Sequence, residues 1–178
     1  MYELFILGQL MDRPMTGYQL RKALSSTVGP ELTISFGALY PLLDKLAAAG
    51  TLTLAFKPTT TKRPQKVATL TPAGRERFYT LISAPVAHNK QTQLTFQMKV
   101  SFLHLLPPDQ QRTTLRAFQT FATGQLSQLA TQRAQLAHNP HMVAADIQDA
   151  LRVNQLQTVR AQAQADWVTA QLNQLTKE

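Results

Sequence analysis

The chain has 178 residues, no cysteine and a formal net charge of +8. Without cysteine there is no disulfide, thiolate metal site or cysteine nucleophile, and the length fits a small domain joined to an extended helical one as well as it fits a single core. No run reaches the roughly 18 apolar residues of a membrane span. The first basic residue, Arg13, comes too late for a secretory leader, so a cytoplasmic protein is expected.

Leu4, Phe5, Leu7 and Met11 stand at helical spacing in a first segment that Asp12-Arg13-Pro14 ends. Thr16 is placed to cap a second helix with Leu20, Ala23 and Leu24 as its inward stripe, and Gly29-Pro30 breaks it. Ser35 is a good N-cap for a third helix, which runs to about Ala49 and presents Leu39, Leu42, Leu43 and Leu46 before Gly50 stops it. Pro41 lies inside that helix, where it removes a backbone hydrogen bond; such a conflict between propensity and pattern marks a site.

From Thr51 the period changes to two. Leu52, Leu54 and Phe56 alternate with Thr51, Thr53 and Ala55 as a strand, and Val67, Ala68 and Leu70 form a short return strand. Between them lies a polar, basic, proline-bounded loop. Thr71-Pro72 then opens a helix with Phe78, Leu81 and Ile82 facing inward. Three helices, a hairpin and a helix make a winged helix-turn-helix, whose third helix enters a DNA major groove while the hairpin reaches the backbone. The fold class expected is mostly α with a small β-wing, followed by a long-helix dimerisation domain.

The domain limits read from the sequence are 1–83 for the winged helix, 84–91 for a linker and 92–178 for a helical dimerisation and effector domain. That last part divides into helices over about 92–106, 109–137 with Asp109 as cap, and 142–175. In the last of them Ile147, Leu151, Asn154, Thr158, Ala161, Ala165, Val168, Leu172 and Leu175 alternate spacings of four and three, a coiled-coil-like row. A second row, Val153, Leu156, Arg160, Ala163, Trp167 and Ala170, runs beside it. Two rows let one helix serve its own chain and a partner, so Ile147, Leu151, Asn154, Leu156, Trp167, Val168, Leu172 and Leu175 are the dimer candidates; a monomeric bundle is the other reading.

Three stretches resemble a known family. Gly17-Tyr18-Gln19-Leu20, then Ser35-Phe36-Gly37-Ala38-Leu39-Tyr40-Pro41 with Leu43, Leu46 and Gly50, and finally Leu70-Thr71-Pro72-Ala73-Gly74 are similar, in order and spacing, to the G-Y-x-[IL], S-x-G-x-[IL]-Y-P and L-T-x-x-G elements of the PadR family of bacterial regulators. The later part resembles that family's shorter, virulence-activator-like helical domain through its length, helix layout and Trp167. The resemblance implies a homodimer that binds an inverted-repeat operator in double-stranded DNA, acts as a repressor, and leaves its operator when a small-molecule effector binds. Founding members respond to phenolic acids through a histidine and a tyrosine; Ala150 and Leu151 stand in that region here, so that ligand is not carried over and the effector residues stay unknown.

The DNA-contact candidates follow from position. Thr16, Tyr18 and Gln19 open the second helix, the end that meets the DNA backbone; Tyr18 as a core residue is the competing reading. Ser35 caps the third helix and leaves free backbone N–H groups for a phosphate. Gly37 and Ala38 permit close backbone approach, Tyr40 either donates to a phosphate or packs beneath the helix, and Lys45 either reaches a phosphate or is solvated. Lys57, Lys62, Arg63 and Lys66 flank the hairpin tip, in a segment, residues 57–77, where six basic residues face Glu76 alone, a net of +5. The third helix lacks Asn, Arg and Gln, so shape or water-mediated readout is expected there.

No catalytic motif is present, and neither a cofactor nor a metal is expected. His138-Asn139-Pro140-His141 straddles a proline turn and lacks the spacing of helical metal ligands. The alternative to a DNA-binding regulator is a winged helix that docks a protein partner and has no operator.

Overall fold

The computed structural model describes residues 1–29, 34–57 and 65–175, in two compact units, Met1–Leu105 and Leu106–Glu178. The first begins with α1 (Tyr2–Gln9), β1 (Met15–Thr16), α2 (Gly17–Val28) and α3 (Phe36–Ala48). The hairpin strands β2 (Leu52–Lys57) and β3 (Gln65–Leu70), α4 (Pro72–Ser83), α5 (Thr92–Val100) and a 3₁₀ turn, Leu103–Leu105, complete it. The second unit holds α6 (Pro108–Ala137) and α7 (Ala144–Leu175). The winged-helix order and the mostly α character are those expected from the sequence.

Burial explains the first unit. In α1, Leu4, Phe5, Ile6 and Leu7 are all buried, so this short helix is enclosed on nearly every side. Leu20 and Leu24 of α2, Leu39 and Leu43 of α3, Leu52 of β2, and Phe78 and Ile82 of α4 complete the core. β1 was not legible in the sequence, because two residues show no period. It pairs antiparallel with β3, Met15 opposite Ala68 and Thr16 opposite Val67, giving the sheet order β1-β3-β2. Along β2 burial holds at Leu52 and fades outward, so Phe56, in the same alternating row, is 70% exposed.

Residues 92–105, expected in the helical domain, belong to the first unit. Phe102 packs its ring against those of Phe5 and Phe78, at centroid separations of 6.0 and 5.7 Å. Buried Lys99 donates from Nζ to the carbonyls of Ile82, at 2.7 Å, and Ala84, at the C-terminal end of α4. The boundary therefore falls after Leu105, later than the division at 84–91.

In the second unit α6 and α7 form an antiparallel pair. Leu115, Phe118 and Ala122 of α6 and Ala161, Ala165 and Val168 of α7 are its buried apolar residues, and Asn154 of α7 is buried with them. Gln119 donates to Thr169 Oγ1 at 3.0 Å, and Asn154 Nδ2 donates to the Leu129 carbonyl at 3.0 Å. Asp109 is not the cap of α6: Pro107 is, with Pro108 first in the helix, and Asp109 accepts instead from Arg112 at 3.0 Å. Arg112 also donates to the carbonyl of Leu175 at 2.9 Å, near the end of α7.

Candidate nucleic-acid interface

The N-terminal ends of α2 and α3 carry most of the candidates. Thr16 caps α2 in a reciprocal box: its side chain accepts from Gln19 N at 3.2 Å, and Gln19 Oε1 accepts from Thr16 N at 2.8 Å. The box fixes the start of the helix and leaves the Gln19 amide N–H₂ to donate elsewhere. Tyr18 is 66% exposed, which removes the core reading for it.

Ser35 caps α3, accepting from Ala38 N at 3.2 Å. The helix buries Leu39, Leu43 and Leu46 and turns Gly37, Ala38, Pro41, Asp44 and Lys45 outward. Pro41 has no N–H for the Gly37 carbonyl, yet the helix continues through it. A Cβ on Gly37 would meet nothing closer than Ser35 Oγ at 3.9 Å, so the fold itself does not demand glycine there. Tyr40 is 37% exposed: its ring edge lies 3.1 Å from where a Cβ on Gly17 would stand, and it stacks on Phe36 at 5.9 Å. The ring therefore packs between the two helices while part of it stays exposed.

The basic segment is less free than its charge implies. Lys66 pairs with Asp44 of α3, and Arg77 donates from Nε to Glu3 at 2.8 Å. That hydrogen bond and the Glu3 charge raise the Arg77 pKa further above its ordinary value. Lys62 and Arg63 lie outside the described residues, as does the side chain of Lys57.

The sequence model of the transcriptional regulator PadR-like family matches residues 6–80. Residues 6–80 are a PadR-like domain. Solved structures similar to the chain include Bacillus subtilis PadR in complex with operator DNA, at 19% identity and a TM-score of 0.46, covering 97% of this chain and 96% of that one. Another is the same protein in complex with p-coumaric acid, at 19% identity and a TM-score of 0.42, covering 99% and 96%. A PadR-like transcriptional regulator from Bacillus cereus matches at 20% identity and a TM-score of 0.40, covering all of both chains. No curated protein matches the chain.

Two residues of the PadR-like domain escaped the sequence reading. Phe36, first in α3, is 36% exposed, and the Arg21 guanidinium of α2 sits 4.6 Å above its ring. Only the interhelical register reveals the pair: Gly17 and Arg21 on α2 face Tyr40 and Phe36 on α3, each pair one turn apart.

The dimer candidates divide between two surfaces. Ile147, Leu151, Asn154, Val168, Leu172 and Leu175 belong to the row of α7 whose members are all buried or half-buried within one chain, with Asn154 and Val168 fully covered. Leu156 and Trp167 belong to the other row, which is exposed with Val153. Trp167 also meets Phe118 of α6, with ring centroids 6.4 Å apart. Among the described residues no helix is long and apolar enough to cross a membrane, and no group of His, Cys, Asp or Glu could hold a metal ion.

Proposed function

We propose that the chain is a sequence-specific, DNA-binding transcriptional regulator that works as a homodimer on an inverted-repeat operator. The observation that carries this reading is the outward face of α3 within a PadR-like domain. Its small residues Gly37 and Ala38 admit the backbone to a groove, and Tyr18, Tyr40 and Lys45 lie exposed around it. Lys57, Lys62 and Arg63 add cations at the wing. The exposed row Val153, Leu156 and Trp167 on α7 is the surface that supports a dimer, because the parallel row already serves α6.

Repression, and release by a small-molecule effector, are supported by the family resemblance. Under linkage, an effector that favours a dimer with wrongly spaced reading helices lowers operator affinity. The effector is a small molecule of unassigned chemistry.

The test is titration of a labelled duplex of mixed sequence with the full chain over a salt series. Affinity is expected to fall steeply as salt rises, through counterion release by phosphate-contacting cations. A salt-independent or absent interaction would overturn the reading and favour the protein-docking winged helix.

A further inference from the structure

We propose that Arg21 is a base-reading residue of the DNA interface, held in place by Phe36, and that the pair sets sequence preference. The inference deepens the DNA-binding reading and rests on it. The outward face of α3 is Gly37, Ala38, Pro41, Asp44 and Lys45, and it carries no arginine, asparagine or glutamine in a helix placed to enter the groove. Base-edge hydrogen bonds in the major groove come mostly from such side chains, and the N-terminal residues of a recognition helix are the ones that reach them. α2 supplies the missing donor. Arg21 projects across the helix pair to the first residue of α3, its Cζ 4.6 Å from the centre of the Phe36 ring. Phe36 is itself braced by stacking on Tyr40, with an interplanar angle of 27°, and Tyr40 lies against Gly17.

This arrangement has the physics of a preorganised reader. A guanidinium resting on an aromatic face loses rotamer freedom before it meets DNA, and the ring attracts the cation without using its N–H donors. Among the described residues no ion pair involves Arg21, so its fork is not committed to a carboxylate there. The ligand chemistry follows: a guanine presenting O6 and N7 to the fork, beside a thymine whose methyl group meets the exposed part of the Phe36 ring.

The experiment is selection of bound duplexes from a random-sequence library by the full chain, for wild type, Arg21→Ala, Arg21→Lys and Phe36→Ala. Wild type is expected to enrich an inverted repeat with a fixed guanine and a neighbouring thymine in each half. Arg21→Lys keeps the positive charge but not the bidentate fork. It should retain binding to unselected duplex while weakening the guanine preference: replacing that base should cost wild type at least about fivefold in affinity, and the lysine variant, without a planar fork stacked on Phe36, clearly less. Phe36→Ala should lose the thymine and relax the guanine. Thermal unfolding of Arg21→Lys close to wild type separates readout from stability. If the arginine variants enrich the wild-type motif with unchanged base frequencies, Arg21 contacts only backbone and the inference is overturned, with DNA recognition left intact. If wild type enriches no motif, the DNA-reading function fails and this inference fails with it.

Discussion

Gly74 and Lys99 show how single residues hold the first unit together. A Cβ on Gly74 would stand 1.9 Å from the Thr51 carbonyl oxygen, a backbone atom that cannot swing aside. Thr71 N and Thr71 Oγ1 bond the carbonyls of Thr51 and Gly50, at 3.2 and 2.7 Å, and pull the start of α4 onto the turn after α3. Gly74→Ala is expected to cost about 3 kcal/mol or more through this overlap, read as a lowered urea midpoint. Lys99 is 5% exposed, and its burial lowers the ammonium pKa from the ordinary 10.5. With the folded pKa below the unfolded one, the unfolded chain keeps a proton that the folded chain has released, over the window between the two values. Stability therefore gains a contribution that rises with pH across that window and levels off above 10.5. Lys99→Met should remove this rise, so that the gap in urea midpoint between wild type and variant shifts in favour of wild type as pH increases toward 10.5.

At the scale of elements, two contacts decide what each face is free to do. Lys66 of β3 pairs with Asp44 of α3, tying the hairpin to that helix through side chains that are 26% and 57% exposed. An exposed pair of this kind adds little to stability. Asp44→Asn should leave unfolding nearly unchanged, remove an anion from the outward face of α3 and release a cation beside it. Affinity for duplex DNA is expected to rise, with the slope of log affinity against log salt steeper by up to about one per protomer; an unchanged slope would place the pair away from the phosphates. On α7 the two rows predict opposite outcomes. Leu156→Asp lies on the exposed row and should weaken the proposed dimer at least about tenfold with helicity retained, because it would force a charge into the apolar contact proposed there. Val168→Asp is fully buried within one chain and should disrupt the α6/α7 pair itself, read as lost helicity by circular dichroism. Sedimentation distinguishes the two.

For the whole molecule the constraint is symmetry. Each protomer offers one α3, so a two-fold dimer needs an inverted repeat with half-sites about one helical turn, or a multiple of it, apart. Inserting half a turn, about five base pairs, moves one half-site to the opposite face of the duplex. Affinity is expected to fall toward that of a single half-site, and footprinting spacing variants around fixed half-sites measures it. Equal protection of both halves at every spacing would mean that the heads move independently, and effector release through a rigid dimer would not work.

Much of the fold was legible because its signals are local. Caps at Thr16, Ser35 and Thr71, breakers at Gly29 and Gly50, and the change of period at Thr51 each act within a few residues, and the structure keeps all three caps. The order helix, helix, helix, hairpin, helix follows from these alone, and the motifs that resemble the PadR family lie in the same stretch. Tertiary structure decided what depends on partners distant in sequence. It gave α5 to the first unit, because Phe102 and Lys99 find their contacts at Phe5, Phe78 and the end of α4. It paired Lys66 and Arg77 with carboxylates that the charge count of residues 57–77 had left out. It also showed which apolar row of α7 its own chain covers, and it placed Arg21 on Phe36. A sequence pattern states which residues share a face; only packing determines what that face meets.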